Sequence, residues 1–257
     1  MERNTLATRQ FGAVAPAYLT SAVHARGADL QRLTELARRS PRLAALDLGC
    51  GAGHAGFALA EGGAEVTACD PTREMLAVVE AEAQRRGLDT LRTRQGRAER
   101  LPFQDATFDL VATRFSAHHW SDVPAALAEA GRVLKPGGSL IVIDVVAPES
   151  PQFDTILQTV EILRDASHVR DYRVSEWRAM LRSAGFQAPA ADAWSLVMEF
   201  KTWTERMRTS ELRADAIRDV FGQAGAEARE YFQVQADGSF TIEVAWLQAL
   251  AGAFAAD

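Results

Sequence analysis

A glycine-rich loop is the part of this sequence whose residue types and spacing point most directly to chemistry. The run Asp47-Leu48-Gly49-Cys50-Gly51-Ala52-Gly53 lies between a short apolar stretch and a helical one. Glycines let the backbone turn sharply and let a ligand approach the main chain closely. The helix that follows presents unpaired N–H groups and a positive dipole end, which suit a carboxylate or phosphate. The loop therefore predicts a ligand site, and a tight βα turn without a ligand is the alternative.

An acidic residue at the end of the next predicted strand supports the ligand site. Asp70 follows Gly51 at close to the roughly 20-residue spacing at which an acid meets ribose hydroxyls in nucleotide-binding folds. The glycine loop and this acid together indicate a cofactor that contains a nucleoside.

One such cofactor is a nicotinamide dinucleotide, because the glycines at positions 51, 53 and 56 satisfy the G-x-G-x-x-G pattern. That pattern should begin at the end of the strand, yet Gly49 and Cys50 stand between the two. An anionic Asp47 beside the loop is unfavourable near a pyrophosphate and favourable near an ammonium group. The sequence therefore favours a small zwitterionic, cationic cofactor over a dinucleotide.

The elements that must position this loop alternate between short apolar runs and amphipathic stretches. Such alternation is typical of βα units around a mainly parallel sheet. Predicted strands cover residues 43–48, 65–70, 91–95, 108–113, 139–146, 194–200 and 240–246. Predicted helices cover residues 28–39, 54–61, 72–87, 121–134, 152–168 and 176–184, with further helical sequence at 203–231. Thr72 and Ser121 are predicted N-caps, and residues 135–138, Lys-Pro-Gly-Gly, form a predicted turn.

The composition restricts the classes of protein to which the chain can belong. Its 257 residues are 47% hydrophobic and 24% charged, with a net charge of -6 and two cysteines. These values exclude disordered, collagenous and coiled-coil proteins. Two cysteines do not make a disulfide framework, which favours a reducing compartment. The negative charge argues against a large nucleic-acid interface.

The hydropathy pattern leads to a prediction of the cell compartment. No apolar run reaches the roughly 18 residues that span a bilayer. Residues 1–5 carry charges of both signs and no apolar region follows them, so no signal peptide is predicted. We therefore predict a cytoplasmic protein that binds neither nucleic acid nor membrane.

Further motifs follow the glycine loop in the order and spacing of one family. They are Ala-Glu-Arg-Leu-Pro-Phe at 98–103, Phe-Asp-Leu-Val at 108–111, Leu-Lys-Pro-Gly-Gly at 134–138, Ser-Glu-Trp at 175–177 and Ala-Gly-Phe at 184–186. With the glycine loop and Asp70, they resemble the class I S-adenosylmethionine (SAM)-dependent methyltransferases, especially the small-molecule group that includes the ubiquinone and menaquinone biosynthesis enzymes. The resemblance covers about residues 40 to 200.

The resemblance implies an α/β, Rossmann-like fold with a seven-stranded, mostly parallel sheet, helices on both faces and an N-terminal helical cap. The motifs leave too few residues at either end for a second independent domain. We therefore predict one domain over residues 1–257. Within it, residues 1–40 form the cap, 41–150 the SAM-binding core, and 151–257 a C-terminal part that completes the sheet and the substrate pocket.

The resemblance also implies which residues hold SAM. Asp70 matches the acid that binds the ribose, and Met75 matches an apolar residue that lies against the adenine. Family members often carry an acid at the position of Arg97, and this acid accepts a hydrogen bond from the adenine amino group. The side chain of Arg97 has donors only, so Arg97 either stacks on the adenine or points away. In both cases the backbone N–H of Ala98 can still donate a hydrogen bond to the adenine ring. The predicted cofactor-binding residues are Asp47, Gly49, Cys50, Gly51, Gly53, Asp70, Pro71, Met75, Arg97, Ala98, Glu99 and Arg114.

Two adjacent histidines, His118 and His119, are the predicted catalytic residues. They follow the fourth strand in a loop that should border the methionine end of SAM, and histidine titrates near neutral pH. Purely structural packing of one or both is the alternative. A metal site with Asp122 is not predicted, because adjacent histidines usually point in different directions.

The acceptor is predicted to be a small molecule with an aromatic or quinone-like portion, methylated on an O, N or C atom. Arg114 is predicted to bind the cofactor or an anionic substrate, with a solvated surface arginine as the alternative. The resemblance implies that Tyr18 and His24 belong to a lid over the pocket, with plain helix packing as the alternative. The aromatic residues offered as apolar walls are Phe115, Trp120, Trp194, Phe200 and Trp203.

Two other classes of function remain open at this point. One is a SAM-binding protein without transferase activity, and the other is a nicotinamide-dependent oxidoreductase. The sequence is compatible with a monomer or a homodimer.

Overall fold

A computed structural model describes residues 27–40 and 42–252 of the chain. The predicted lid residues Tyr18 and His24 lie outside the described residues, as does the predicted cap up to residue 26. The strands are β1 (Ala44–Leu48), β2 (Glu65–Asp70), β3 (Leu91–Gln95), β4 (Phe108–Arg114), β5 (Leu134–Ala147), β6 (Tyr172–Arg173), β7 (Phe186–Met198) and β8 (Phe240–Ala251). The helices are α1 (Ala28–Arg39), α2 (His54–Glu61), α3 (Arg73–Arg86), α4 (Val123–Val133), α5 (Pro151–Arg164), α6 (Val174–Ser183), α7 (Phe200–Arg206), α8 (Glu211–Gln223) and α9 (Ala226–Tyr231), with a 3-10 turn at Ala117–His119.

The predicted Rossmann-like sheet is confirmed. Its strands lie in the order β3-β2-β1-β4-β5-β8-β7, and the two-residue β6 pairs with the end of β5. Strand β8 runs antiparallel to both of its neighbours, while β1 to β5 pair in parallel. The strand order reverses between β1 and β4, so a crevice opens there at the carboxyl ends of the strands, where such sheets bind ligands.

Helices cover both faces of the sheet, because successive residues of a buried strand point to opposite sides. Leu46 and Leu48 of β1 pack with helices α4 and α6, whereas Ala45 packs with helices α1, α2 and α3. A third apolar cluster joins helices α5, α7 and α8 to the ends of β7 and β8. That cluster buries Phe200 and Trp203, both predicted as pocket walls.

Several predicted boundaries are wrong, for identifiable reasons. Asp122, not Ser121, caps α4, because its carboxylate accepts a hydrogen bond from the N–H of Ala125 at 2.9 Å. Strand β5 begins at Leu134, which pairs with Phe108, and the predicted turn at 135–138 is an irregularity within this strand. Strand β7 begins at residue 186 instead of 194. The helical sequence predicted at 203–231 is confirmed and consists of the three helices α7, α8 and α9.

Candidate active site

A first cavity lies at the carboxyl ends of β1, β2 and β4, and it brings together most of the residues predicted to bind the cofactor. Its lining includes Asp47, Gly49, Cys50, Gly51, Asp70, Pro71, Met75, Arg97, Ala98, Glu99 and Arg114. The predicted substrate residues Phe115 and Trp120 also line it. Gly53 is predicted to bind the cofactor but does not line this cavity. A side chain at Gly53 would meet Val79 and Phe57, so the close packing of α2 explains the glycine there.

The glycine loop leaves its backbone open to the first cavity at Gly51. This residue has a positive φ of 49°, a conformation that glycine adopts without the strain of a Cβ. A Cβ placed on Gly51 would meet no atom within 4 Å, so this part of the loop faces open space. A ligand can therefore approach the main chain here, as the sequence predicts.

Asp70 links the loop to the end of β2. Its carboxylate accepts hydrogen bonds from the N–H of Gly51 at 3.0 Å and from the N–H of Thr72 at 2.8 Å, one on each oxygen. Burial raises the pKa of Asp70, and these two N–H groups act in the opposite direction. Each oxygen keeps a second lone pair, so Asp70 can also accept hydrogen bonds from two hydroxyl groups of a ligand.

Asp47 is buried at the end of β1 and accepts a hydrogen bond from the N–H of Gly56 at 2.7 Å. Burial and the nearby charge of Asp70 raise the pKa of Asp47 to about 7, against the lowering effects of the Gly56 N–H and Arg114. A cation bound beside Asp47 would favour its ionised form. A Cβ on Gly56 would lie 3.0 Å from Asp47 Oδ2, so packing against Asp47 explains the third glycine of the dinucleotide-like pattern.

Arg114 is held in the first cavity by an acid that the sequence analysis missed. Its Nε lies 2.5 Å from Oδ2 of Asp29 in the first turn of α1, and the two side chains are only 6% and 5% exposed. The guanidinium also lies over the ring of Phe115, 4.6 Å from its centroid. Asp29 has no local signature in the sequence, because an acid in the first turn of a helix is ordinarily explained by the helix dipole.

Arg97, Ala98 and Glu99 also line the first cavity. The side chain of Arg97 is exposed. The carboxylate of Glu99 accepts hydrogen bonds from the N–H and hydroxyl of Ser121 at 3.0 and 2.8 Å. Glu99 therefore fixes the segment that leads into α4.

The two predicted catalytic histidines sit in the 3-10 turn after β4 and have opposite protonation behaviour. His118 Nδ1 lies 2.6 Å from Asp144 Oδ1. Burial alone would lower the pKa of His118, but the Asp144 carboxylate more than offsets this and raises it to about 9. Burial and the charge of His118 lower the pKa of His119 to about 4. At neutral pH, His118 is therefore an imidazolium and His119 a neutral imidazole.

Asp144, near the end of β5, orders the turn that carries these histidines. Besides the ring of His118, its carboxylate accepts hydrogen bonds from the backbone N–H groups of Ala117 at 2.8 Å, His118 at 3.3 Å and Val145 at 2.9 Å. The role of Asp144 could not be predicted from the sequence, since a single acid inside an apolar strand has no motif around it.

A second cavity adjoins the first on the side of the C-terminal helices. Phe115 and His119 line both cavities, whereas His118 lines only the second. Trp203 also lines the second cavity, but Trp194 and Phe200 line neither. Across the described ranges 27–40 and 42–252, the side chains form no cluster of three or more ligands that could hold a metal ion. Nor does any helix within those ranges have the length and apolar character to cross a membrane.

Comparison with known proteins identifies the class to which this fold and site belong. A family model described as a methyltransferase domain matches residues 46–142. The chain is 36% identical to the uncharacterised methyltransferase YcgJ of Bacillus subtilis strain 168 over 86% of this chain and 88% of YcgJ. The chain belongs to the class I SAM-dependent methyltransferases, and its cofactor is SAM.

Two other proteins and one crystal structure are also similar to this chain. The uncharacterised protein YafE of Escherichia coli K12 is 47% identical over 75% of this chain and 93% of YafE. The crystal structure of YcgJ superposes with a TM-score of 0.82 at 33% identity, covering 88% of this chain and 99% of YcgJ. A demethylmenaquinone methyltransferase of Thermus thermophilus is 36% identical over 57% of this chain and 69% of that protein.

The first cavity fits SAM in its donor and acceptor chemistry. The open backbone at Gly51, the hydrogen-bond acceptors of Asp70 and the buried carboxyl of Asp47 suit a ligand with ribose hydroxyls and a cationic amino-acid end. Family membership also decides between the cofactors that the sequence left open, since it identifies SAM instead of a nicotinamide dinucleotide.

Proposed function

We propose that this methyltransferase acts on a small-molecule acceptor and that His119 is its general base. The observation that carries the proposal is the arrangement of the two cavities, which meet at Phe115 and His119. A methyl donor in the first cavity and an acceptor in the second would face each other across these two side chains. Alignment of the two reactants supplies much of the rate of an in-line displacement.

The residues of the first cavity would hold SAM from both ends. Asp70 would accept hydrogen bonds from the ribose hydroxyls, and Met75, Arg97 and Ala98 would hold the adenine. Asp47 would bind the ammonium group, and Arg114 would bind the carboxylate of the methionine end. When bound, SAM supplies an electrophilic methyl group on a sulfonium sulfur.

The two histidines would have different roles in the reaction, because only His119 is able to accept a proton at neutral pH. His119 is neutral at pH 7 and lines both cavities, so it can accept a proton from the nucleophilic atom of the acceptor. His118 already carries a proton and is fixed by Asp144, so it acts as a positively charged neighbour instead of a base. A positioned base of this kind contributes about 10²–10⁴-fold to the rate.

The acceptor proposed here is aromatic or quinone-like, and its O, N or C atom is methylated. Its support is the similarity to a demethylmenaquinone methyltransferase and the aromatic Phe115 and Trp203 in the second cavity. The net charge of -6 supports a small molecule over a nucleic acid. We further propose that the protein is cytoplasmic and acts as a monomer or homodimer. We also propose that the chain forms one domain, because the C-terminal strands β7 and β8 belong to the same sheet as β1, the strand that leads into the glycine loop.

Incubation with methyl-labelled SAM and a cell extract tests the proposed function. We expect label to enter extract components that pass a filter with a cut-off of a few kilodaltons, and to do so in proportion to the protein added. Extract fractions treated with nuclease and protease should remain good acceptors. Label that enters only macromolecules, or no product at all from repeated extracts, would contradict the proposal.

A further inference from the structure

The second cavity contains buried acids whose hydrogen bonding is incomplete. Asp165 and Asp171 both line it, and each residue is only 1% exposed. In each carboxyl group, Oδ2 is buried and has no hydrogen-bond partner within the described ranges. A buried oxygen without a donor is destabilising, so native proteins keep few of them.

The nearest basic groups do not satisfy these oxygens. His119 Nε2 lies 3.9 Å from Asp165 Oδ2, and His168 Nε2 lies 3.8 Å from Asp171 Oδ2, both beyond hydrogen-bond distance. By contrast, Oδ1 of Asp165 accepts hydrogen bonds from the N–H and hydroxyl of Ser167 at 2.7 and 2.6 Å. Asp165 is therefore fixed through one oxygen while the other is left for a further donor.

Two of the other charged side chains in the second cavity, Glu161 and Arg164, are paired with each other. Glu161 lies 3.3 Å from Arg164, whose guanidinium also lies over the ring of Trp203 at 4.9 Å. Burial and the charge of Glu161 raise the pKa of Asp171 well above its usual range. The raised pKa favours the protonated form of Asp171, which can donate as well as accept, so the need for a hydrogen-bond donor rests on Asp165.

Apolar side chains form the rest of the wall. Val145, Leu196, Met198 and Ile242 line the second cavity together with Phe115 and Trp203. They offer an apolar surface of the kind that binds the body of an organic ligand, while the few polar groups fix its orientation.

From these contacts we infer that the second cavity binds the methyl acceptor through a hydroxyl or amine group that donates a hydrogen bond to Oδ2 of Asp165, with the apolar body of the acceptor against Phe115 and Trp203. The inference rests on the proposed function, because it assigns the acceptor to this cavity. Within the proposed aromatic or quinone-like class it selects phenols, hydroquinones and amines, and it excludes ethers and oxidised quinones, whose polar ends only accept hydrogen bonds. A site built to receive a donor rejects an analogue that lacks one, because its own polar atoms are then left unpaired.

Four small probes with one apolar body test this chemistry. Phenol, catechol and benzylamine donate hydrogen bonds, whereas anisole does not. Their dissociation constants are measured by ligand-observed NMR on the full chain saturated with S-adenosylhomocysteine. We expect at least one of the three donors to bind about tenfold or more tightly than anisole, the usual size of one hydrogen bond to a charged group. Tight binding of phenol or catechol would identify a hydroxyl acceptor, and tight binding of benzylamine an amine.

A matched pair of variants assigns the effect to the cavity. Asp165→Asn keeps the acceptor for Ser167 and places an amide donor where Oδ2 lies, so the preference for donors over anisole should fall to less than about threefold. The control Glu149→Gln changes an exposed carboxylate that similarly accepts bonds from the N–H and hydroxyl of Ser175, at 3.0 and 2.7 Å, and should keep the preference.

Equal binding of anisole and the donors, absence of saturable binding, or an unchanged preference in Asp165→Asn would overturn the inference. Binding of S-adenosylhomocysteine, measured in the same samples, separates this failure from that of the proposed function. Intact binding of that product with no discrimination among probes removes the acceptor assignment alone. Loss of that binding in Asp165→Asn would instead show that the substitution disturbs the fold, and Asp165→Ala, which removes Oδ2 without adding a donor, then takes its place with the same expected loss of preference.

Discussion

The two cavities of this protein are built in different ways. The first is formed mainly by backbone turns at the ends of neighbouring strands, where Gly51 opens the main chain and Asp70 ties β1 to β2. The second is formed by side chains from the 3-10 turn, β5, α5, α7, β7 and β8, and the buried acids Asp165 and Asp171 belong to its lining. We therefore expect the first cavity to determine the affinity for the cofactor. The second cavity, with the residues Phe115 and His119 that it shares with the first, should determine the rate and the choice of acceptor.

The largest expected effect is on the rate, from His119 at the boundary. His119→Ala should lower the turnover number by about 10²–10⁴-fold, because the proposed base is lost. Its affinity for SAM should stay within about threefold of the natural protein, which calorimetry would establish. A variant that retains more than a third of the natural turnover, assayed with labelled SAM and the acceptor-containing fraction, would remove His119 from the mechanism.

The next largest effect is on cofactor affinity, from Asp70 in the first cavity. Asp70→Ala should weaken SAM binding roughly tenfold or more, because a charged hydrogen-bond partner of the ribose is lost. The control Asp89→Ala removes an exposed acid in the turn before β3 and should leave the affinity unchanged. Thermal unfolding of both variants checks that they remain folded. Unchanged affinity in folded Asp70→Ala would remove the main support for placing the ribose there.

A pH effect of about tenfold is expected from Asp47. Its pKa of about 7 means that the carboxyl is mostly protonated below that pH in the free protein. If the ammonium group of SAM selects the carboxylate, binding releases a proton, and affinity should fall about tenfold from pH 8 to pH 6.

Calorimetry in buffers of different ionisation enthalpy measures the released proton. Asp47→Asn, which can still accept the Gly56 hydrogen bond, should remove the proton release assigned to this residue while any titration of the ligand itself remains. Equal proton release by the two proteins at pH 6 would place the ammonium group elsewhere.

The smallest expected effect is at Arg97. Its side chain is exposed, so Arg97→Ala should change SAM affinity by less than about fivefold, in the range of exposed charged contacts. Arg100→Ala, which removes a neighbouring exposed arginine outside the lining of the first cavity, is the matched control. A tenfold loss confined to Arg97→Ala would mean that the guanidinium holds the adenine ring directly.

The elements around the first cavity were predictable because their signals are local. Strands β2 and β3 and helices α1 and α2 have the predicted bounds, since apolar periodicity, glycines and capping residues lie within each segment. The cofactor residues follow from contiguous motifs at the ends of those strands. Strand β7 was predicted too short, because many of its residues are exposed and the strand lacks a clear apolar alternation.

The side-chain contacts that hold the key residues of both cavities could not be predicted, because they join residues far apart in the chain. At the second cavity Asp144 meets His118 across 26 positions, and at the first cavity Asp29 meets Arg114 across 85. The opposite pKa values of two adjacent histidines depend on which of them faces Asp144, which only the packed turn decides. A sequence pattern identifies His118 and His119 as a pair but does not separate their roles.

The most direct test of the two-cavity arrangement is a crystal structure of the protein with S-adenosylhomocysteine. We predict that the ribose hydroxyls contact the Asp70 carboxylate and that the sulfur lies beside Phe115 and His119, facing the second cavity. A product molecule bound with its sulfur directed away from His119, or with the methionine end at Asp70, would contradict the account.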